Sequence, residues 1–172
     1  MRHSDERTTL TNPYRKYDNS TSAQFLSYEV YKLALLAARS RNSHLCLTLS
    51  LGGNQFLLTD ATQHGLGASG RHIRDISYAE ICKRHWSEVK YVESAVGYYA
   101  RSGRTWISYD TEKTIAAKVR MAMRRNPDFC VMLVQVEKDD FRGICSEKHF
   151  PLAQSVKQAM RLFHRKPPNQ DT

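Results

Sequence analysis

Asp139 and Asp140 stand side by side at the end of an apolar run, VMLVQVEKDDFRGIC, residues 131–145. Paired carboxylates invite an acid–base reading, and Cys145 a few residues on invites a metal one. Both fit poorly. Adjacent residues of an extended chain point to opposite sides, whereas general acids and bases converge on a substrate from separate segments. The expected role of the two acids is a cap or turn ahead of Phe141-Arg142-Gly143. The seven histidines and four cysteines show no C-x-x-C or H-x-x-x-H spacing, so no metal or other cofactor is expected. Gly65, Gly67 and Gly70 lack the strand-to-helix context of a phosphate loop, and no G-x-S-x-G elbow occurs. Cys46 and Cys130 fall in apolar runs and read as small buried residues. Cys82 and Cys145 lie in more polar surroundings.

The elements that would position these residues follow from periodicity. Residues 1–24 read as a flexible, polar lead-in and 164–172 as a polar tail. Phe25, Leu26, Val30, Leu33, Leu36 and Ala37 recur at helical spacing. LCLTLSL (45–51) is strand-like and ends at Gly52-Gly53, and 59–74 reads as a loop. Ser77 is placed to cap a short helix over 76–86. Residues 96–110 resemble a hairpin turning at Ser102-Gly103. EKTIAAKVRMAMRR (112–125) is amphipathic, with Ile115, Val119, Ala122 and Met123 inward and Lys118, Arg120, Arg124 and Arg125 toward water. Strand 129–136 is apolar on both sides, as a parallel strand covered on two faces would be. Pro151 opens a last helix over 151–163. An α/β layer fold, or part of a (β/α) barrel, is the physical inference, with strands at 45–51, 105–109 and 129–136.

The bulk numbers bound the function classes. The 172 residues, 41% hydrophobic and 25% charged, suffice for one domain with a core or part of a larger one. No apolar stretch nears the roughly 20 residues of a membrane span. The first 20 residues hold no apolar segment of signal-peptide type. The net charge of +9 is dispersed, without a recognition motif, so nucleic acid is not an expected partner.

Several segments resemble one family when taken together. ISYAEIC (76–82), YARSGRTWISYD (99–110), TIAAKV (114–119) and VMLVQVEKDDFRGIC followed by FPL (150–152) are similar to a series of family 18 glycoside hydrolase patterns. Those patterns are Y-Y-E-I-C, Y-A-x-x-G-x-x-W-V-x-Y-D-D, S-I-x-x-K and M-V-W-x-x-D-x-D-D-F-x-G-x-C with Y-P-L, from the C-terminal part of the chitinases and chitinase-like lectins. LTLSLGGNQFLL (47–58) resembles the sixth barrel strand, L-G-x-P-x-Y-G-R-x-F. Over about 25–163, the resemblance implies strands six to eight of a TIM barrel with a small α+β insertion domain at about 57–104. It further implies a Cys82–Cys145 disulfide, worth roughly 4 kcal/mol by loop closure, and an extracellular protein.

The departures from the family matter for activity. The family's acid motif, D-x-x-D-x-D-x-E, is absent from these residues. Its glutamate protonates the leaving group while the sugar's own N-acetyl oxygen attacks. Gly52 and Asn54 stand at the sixth strand's Tyr and Arg, and Val134 stands where the sugar-stacking Trp belongs. With no catalytic residue to name, Asn54, Asp75 and Val134 are the groove positions. The resemblance implies a silent chitinase-like protein with weak affinity for chitin or N-acetylglucosamine glycans. One alternative is the downstream part of a longer secreted chitinase, another a basic binding module for acidic glycans or nucleic acid. A three-strand portion of a barrel leaves an open edge, so self-association is expected.

Overall fold

The structure, a computed structural model, describes residues 6–15, 17, 25–39, 46–126 and 130–165. Twelve elements follow one another: β1 (Glu6–Arg7), α1 (Leu26–Arg39), β2 (Cys46–Ser50), β3 (Gly53–Leu58), β4 (Ser69–Ile76), α2 (Tyr78–Lys83), β5 (Glu88–Val92), β6 (Gly97–Ser102), β7 (Thr105–Tyr109), α3 (Glu112–Arg125), β8 (Cys130–Val134) and α4 (Pro151–Arg165). They form two sheets. β2 and β8 are a parallel pair, in register from Cys46↔Cys130 to Ser50↔Val134. The other six strands run antiparallel in the order β1-β4-β3-β7-β6-β5.

The parallel pair is covered on one side. Leu47 and Leu49 project into a core with Val30 of α1, Ile115, Val119 and Met123 of α3, and Leu152 and Val156 of α4. The other side is open: Thr48 is exposed and Met132 is 49% exposed. The near-continuous apolar run at 131–136 therefore does not mark a strand covered on both faces. Nor do three parallel strands form. Residues 105–109 join the antiparallel sheet, because the turn at Gly103-Arg104 folds β7 directly back on β6. Gly103 takes the left-handed conformation that this tight turn requires (φ 57°).

Three further expectations change. β4 begins inside the segment read as a loop; its exposed Arg71, His72 and Arg74 hide the strand pattern. Of the lead-in read as flexible, residues 6–15 are packed. Thr8, Leu10, Thr11 and Tyr14 are buried, Leu10 in a cluster with Phe56, Leu58, Tyr99 and Trp106. The expected tail, 166–172, lies outside the described residues. Cys46 and Cys130 are not core residues: as register partners 4.3 Å apart at Cα they form a disulfide across the parallel pair. Cys82 and Cys145 form the second disulfide, as the resemblance implies.

Local signals act where they were read. Ser77 accepts from the Glu80 amide, and Glu80 accepts in return from the Ser77 amide, a capping box that starts α2. Thr111, a cap that was not read from the sequence, starts α3, and Asn126 ends it.

Candidate functional site

Asp139 and Asp140 are scaffold. Asp139 is buried and accepts hydrogen bonds from the amides of Ala153 (2.9 Å) and Leu152 (3.3 Å), so it caps the start of α4. Asp140 accepts from the Cys145 amide at 2.6 Å. Burial opposes its ionisation, but the backbone amides of 142–145 outweigh that and hold its carboxyl below the usual range. With both acids committed to backbone N–H groups, neither is poised for proton transfer. Tyr78 nearby is pushed up to about 12, first by burial and then by the negative groups around it, including Glu112, Asp139 and Asp140. It remains a neutral phenol at physiological pH.

A polar cluster forms elsewhere, at the C-terminal ends of β2 and β8. There the chain leaves β2 at Ser50 and enters β3 at Gly53, bringing the parallel pair against the antiparallel sheet. Asn54 faces Asp75 across the β3–β4 ladder and Ser108 across the β3–β7 ladder. Val134 ends β8 as the partner of Ser50 and is half-buried. The residue after it, Gln135, crosses the gap: Ser50 Oγ donates to Gln135 Oε1 at 2.5 Å, and Gln135 Nε2 donates to Asp75 Oδ2 at 2.6 Å. Gln135 holds a left-handed conformation (φ 56°), which costs a non-glycine residue of the order of 1–3 kcal/mol. His72 Nε2 lies 3.4 Å from the other Asp75 oxygen.

Of the groove positions read from the sequence, Asn54 and Asp75 are thus neighbours, and Val134 reaches them through the residue that follows it. Sequence reasoning missed Ser50 and Gln135. The available signal was two polar residues at the ends of apolar strands, where α/β folds place ligand-binding groups.

A second polar cluster adjoins the first through Ser50 and Asn12. Lys118, expected to face water, is fully buried and paired with Asp110. Burial pushes its ammonium below the usual lysine range, against the opposing pull of Asp110. Asn12 donates to Asp110 Oδ2 (3.0 Å) and the Ser50 carbonyl (2.8 Å), and its own Oδ1 accepts from the Ser50 amide. The N-terminal segment is therefore bolted to the end of β2 at Ser50.

Among the described residues, no group of three His, Cys, Asp or Glu side chains could hold a metal ion. Among the described residues, cavities lie away from this cluster, one of about 680 Å³ between β8 and α4 and one of about 250 Å³ beside the Cys82–Cys145 bridge. The first is an open gap at the edge of the parallel pair; the second is lined by scaffold residues that include Asp140.

No family profile matches the chain. Probable chitinase 10 of Drosophila melanogaster is 26% identical over 183 residues, covering 96% of this chain and 8% of the fly protein. Mouse chitotriosidase-1 is 25% identical over 170 residues, covering 91% of this chain and 36% of the mouse protein. The chain thus spans only part of the length of these curated relatives. Among solved structures, human YKL-39, described as a pseudo-chitinase with retained chitooligosaccharide binding properties, superposes with a TM-score of 0.76 at 22% identity. That superposition covers 90% of this chain and 46% of YKL-39. The chain is chitinase-like: in sequence and in fold it resembles the family 18 glycoside hydrolases over about 90% of its length.

Proposed function

We propose that this chain is a non-hydrolytic, glycan-binding relative of the chitinases, with chitin and N-acetylglucosamine oligomers as its ligand class. One observation carries the reading. Asn54 and Asp75 meet the C-terminal ends of β2 and β8, while the positions of the family's Tyr, Arg and Trp hold Gly52, Asn54 and Val134. The frame of a sugar cleft is kept, and the groups that grip and stack the reacting ring are replaced. A partly buried set of a few convergent polar groups, without a poised acid, binds without activating. YKL-39, with the same fold over this span, offers a precedent in a pseudo-chitinase that binds chitooligosaccharides.

In this reading β2, β8, α1, α3 and α4 are the barrel portion, and the antiparallel sheet with α2 is the insertion domain. The two disulfides suit an oxidising compartment, which supports an extracellular setting. No helix among the described residues is long and apolar enough to cross a membrane. The test is incubation of the purified chain with chito-oligosaccharides, alongside retention on chitin beads. Retention without shortened products is expected; steady release of dimers would contradict the reading.

A second reading follows from the 36% and 46% shares of the mouse protein and of YKL-39 that the chain spans. It is the downstream portion of a longer chitinase whose acid motif is encoded upstream. Mapping the 5′ end of the transcript decides it: a continuous reading frame carrying D-x-x-D-x-D-x-E supports this second reading, and a start at Met1 removes it.

A further inference from the structure

Gln135 holds Ser50 and Asp75 with a single amide. Its Oε1 accepts from Ser50 Oγ, and its Nε2 donates to Asp75 Oδ2. The orientation is fixed by chemistry, because an ionised carboxylate only accepts and a flipped amide would set two acceptors against each other. The Gly52 amide donates to Ser50 Oγ at 3.2 Å; of the two acceptors near the hydroxyl, the Gln135 oxygen at 2.5 Å is much nearer than the Gly52 carbonyl at 3.4 Å. The glutamine also fills the room beside position 52: a Cβ on Gly52 would lie 2.6 Å from Gln135 Oε1. Ser50, Asp75 and Gln135 are all partly exposed, so the grip is within reach of solvent.

A hydroxyl donor and a carboxylate acceptor that hold one amide between them are the complement of an acetamido group, which likewise offers an acceptor oxygen and a donor nitrogen on one carbon. We infer that Ser50 and Asp75 form a recognition site for the N-acetyl substituent of an amino sugar, and that Gln135 occupies it as a built-in competitor. The inference deepens the glycan-binding reading above and rests on it. Binding exchanges one amide for another at the same two groups, so little is gained in hydrogen bonding. The apparent affinity is reduced by the fraction of molecules in which Gln135 has swung clear. The site also sets specificity: a hydroxyl in place of the acetamido group offers one atom where the amide offers an acceptor and a donor on separate atoms.

Calorimetric titration of the whole chain tests this with two ligands, penta-N-acetylchitopentaose and cellopentaose, which shares the β-1,4-linked backbone but has no amide. Two variants are compared with the wild type. Gln135→Gly removes the competitor and suits the left-handed backbone; Gln135→Asn also tolerates that backbone and withdraws the amide by one methylene. Both are expected to bind the N-acetylated pentamer about tenfold more tightly than wild type, as for a site that is open about a tenth of the time. Cellopentaose binding is expected to be unchanged, and Asp75→Ala in the Gln135→Gly background to abolish the gain. If wild type binds and neither variant gains, the amide site is overturned and the glycan reading survives. An equal gain for cellopentaose also overturns it, because the effect is then one of space alone. No binding by wild type or either variant overturns both readings.

Discussion

Lys118 Nζ lies 2.5 Å from Asp110 Oδ1, and neither side chain reaches solvent. Each charge is tolerable there only because of the other. Lys118→Met is expected to cost about 3–5 kcal/mol, because it leaves the Asp110 carboxylate buried without its cation. Adding Asp110→Asn should recover much of that loss, since Asn is neutral and its one oxygen still accepts from Thr114. A double-mutant cycle in urea unfolding measures the coupling; additive losses would show that the pair does not act as a unit.

The two disulfides make a covalent prediction. Tryptic digestion without reductant should release two linked peptide pairs, one joining Cys46 to Cys130 and one joining Cys82 to Cys145. Each bridge closes a long loop, with separations of 84 and 63 residues, so removing either is expected to cost about 4 kcal/mol on the loop-closure account. Any other pairing would contradict the observed juxtaposition of β2 and β8.

Asp139 separates a scaffold role from a chemical one. Asp139→Ala leaves two amides at the start of α4 without their acceptor and is expected to cost about 2 kcal/mol. Asp139→Asn, which keeps one acceptor oxygen, should cost less. Neither should change glycan affinity at 25 °C in molecules that remain folded. A loss of binding out of proportion to the loss of stability would return Asp139 to the site.

Acid should weaken the α2 region. Glu80 is pushed down to about 2, chiefly by its hydrogen bonds from Arg74, and Asp140 is also held low. A carboxyl whose folded pKa lies below its unfolded one contributes stability that is present at neutral pH and lost as pH falls. The expected decline therefore begins below about pH 4.5 and continues toward pH 2. Glu80 is 40% exposed, so solvent screening keeps its share small. Thermal unfolding midpoints of wild type and Glu80→Gln should converge as pH drops from 6 to 2.5; a constant gap would remove Glu80 from the account.

Self-association is expected from the surface of α1. Tyr28, Tyr31, Leu35 and Leu36 are each about half exposed there, and such neighbouring apolar side chains favour contact between copies. Light scattering with gel filtration should show a concentration-dependent rise in mass, suppressed by Tyr31→Glu with Leu35→Lys. A constant monomer mass across concentrations would contradict it.

What could be read from the sequence was what is locally determined. The Ser77 cap, the β6–β7 hairpin, the amphipathic α3 and the Pro151 start each depend on residues a few positions apart. The features that escaped depend on partners far along the chain. Lys118 reads as a solvent-facing residue until Asp110, Thr11 and Asn12 close over it. Leu10 and Tyr14 look like isolated apolar residues in a polar segment until the two sheets provide a slot for them. β4 sits near an edge of its sheet with charged side chains outward, so it lacks the alternation of a half-buried strand. The groove positions Asn54, Asp75 and Val134 came from motif resemblance alone. Gln135 carried only the weak signal of a polar residue after an apolar strand, and nothing local marks a glutamine as left-handed.

The most direct test of the central claim is isothermal titration of the wild-type chain with penta-N-acetylchitopentaose, followed by chromatography of the same sample after prolonged incubation. The account predicts saturable binding with the pentamer recovered intact. Cleaved products, or no binding at millimolar ligand, would contradict it.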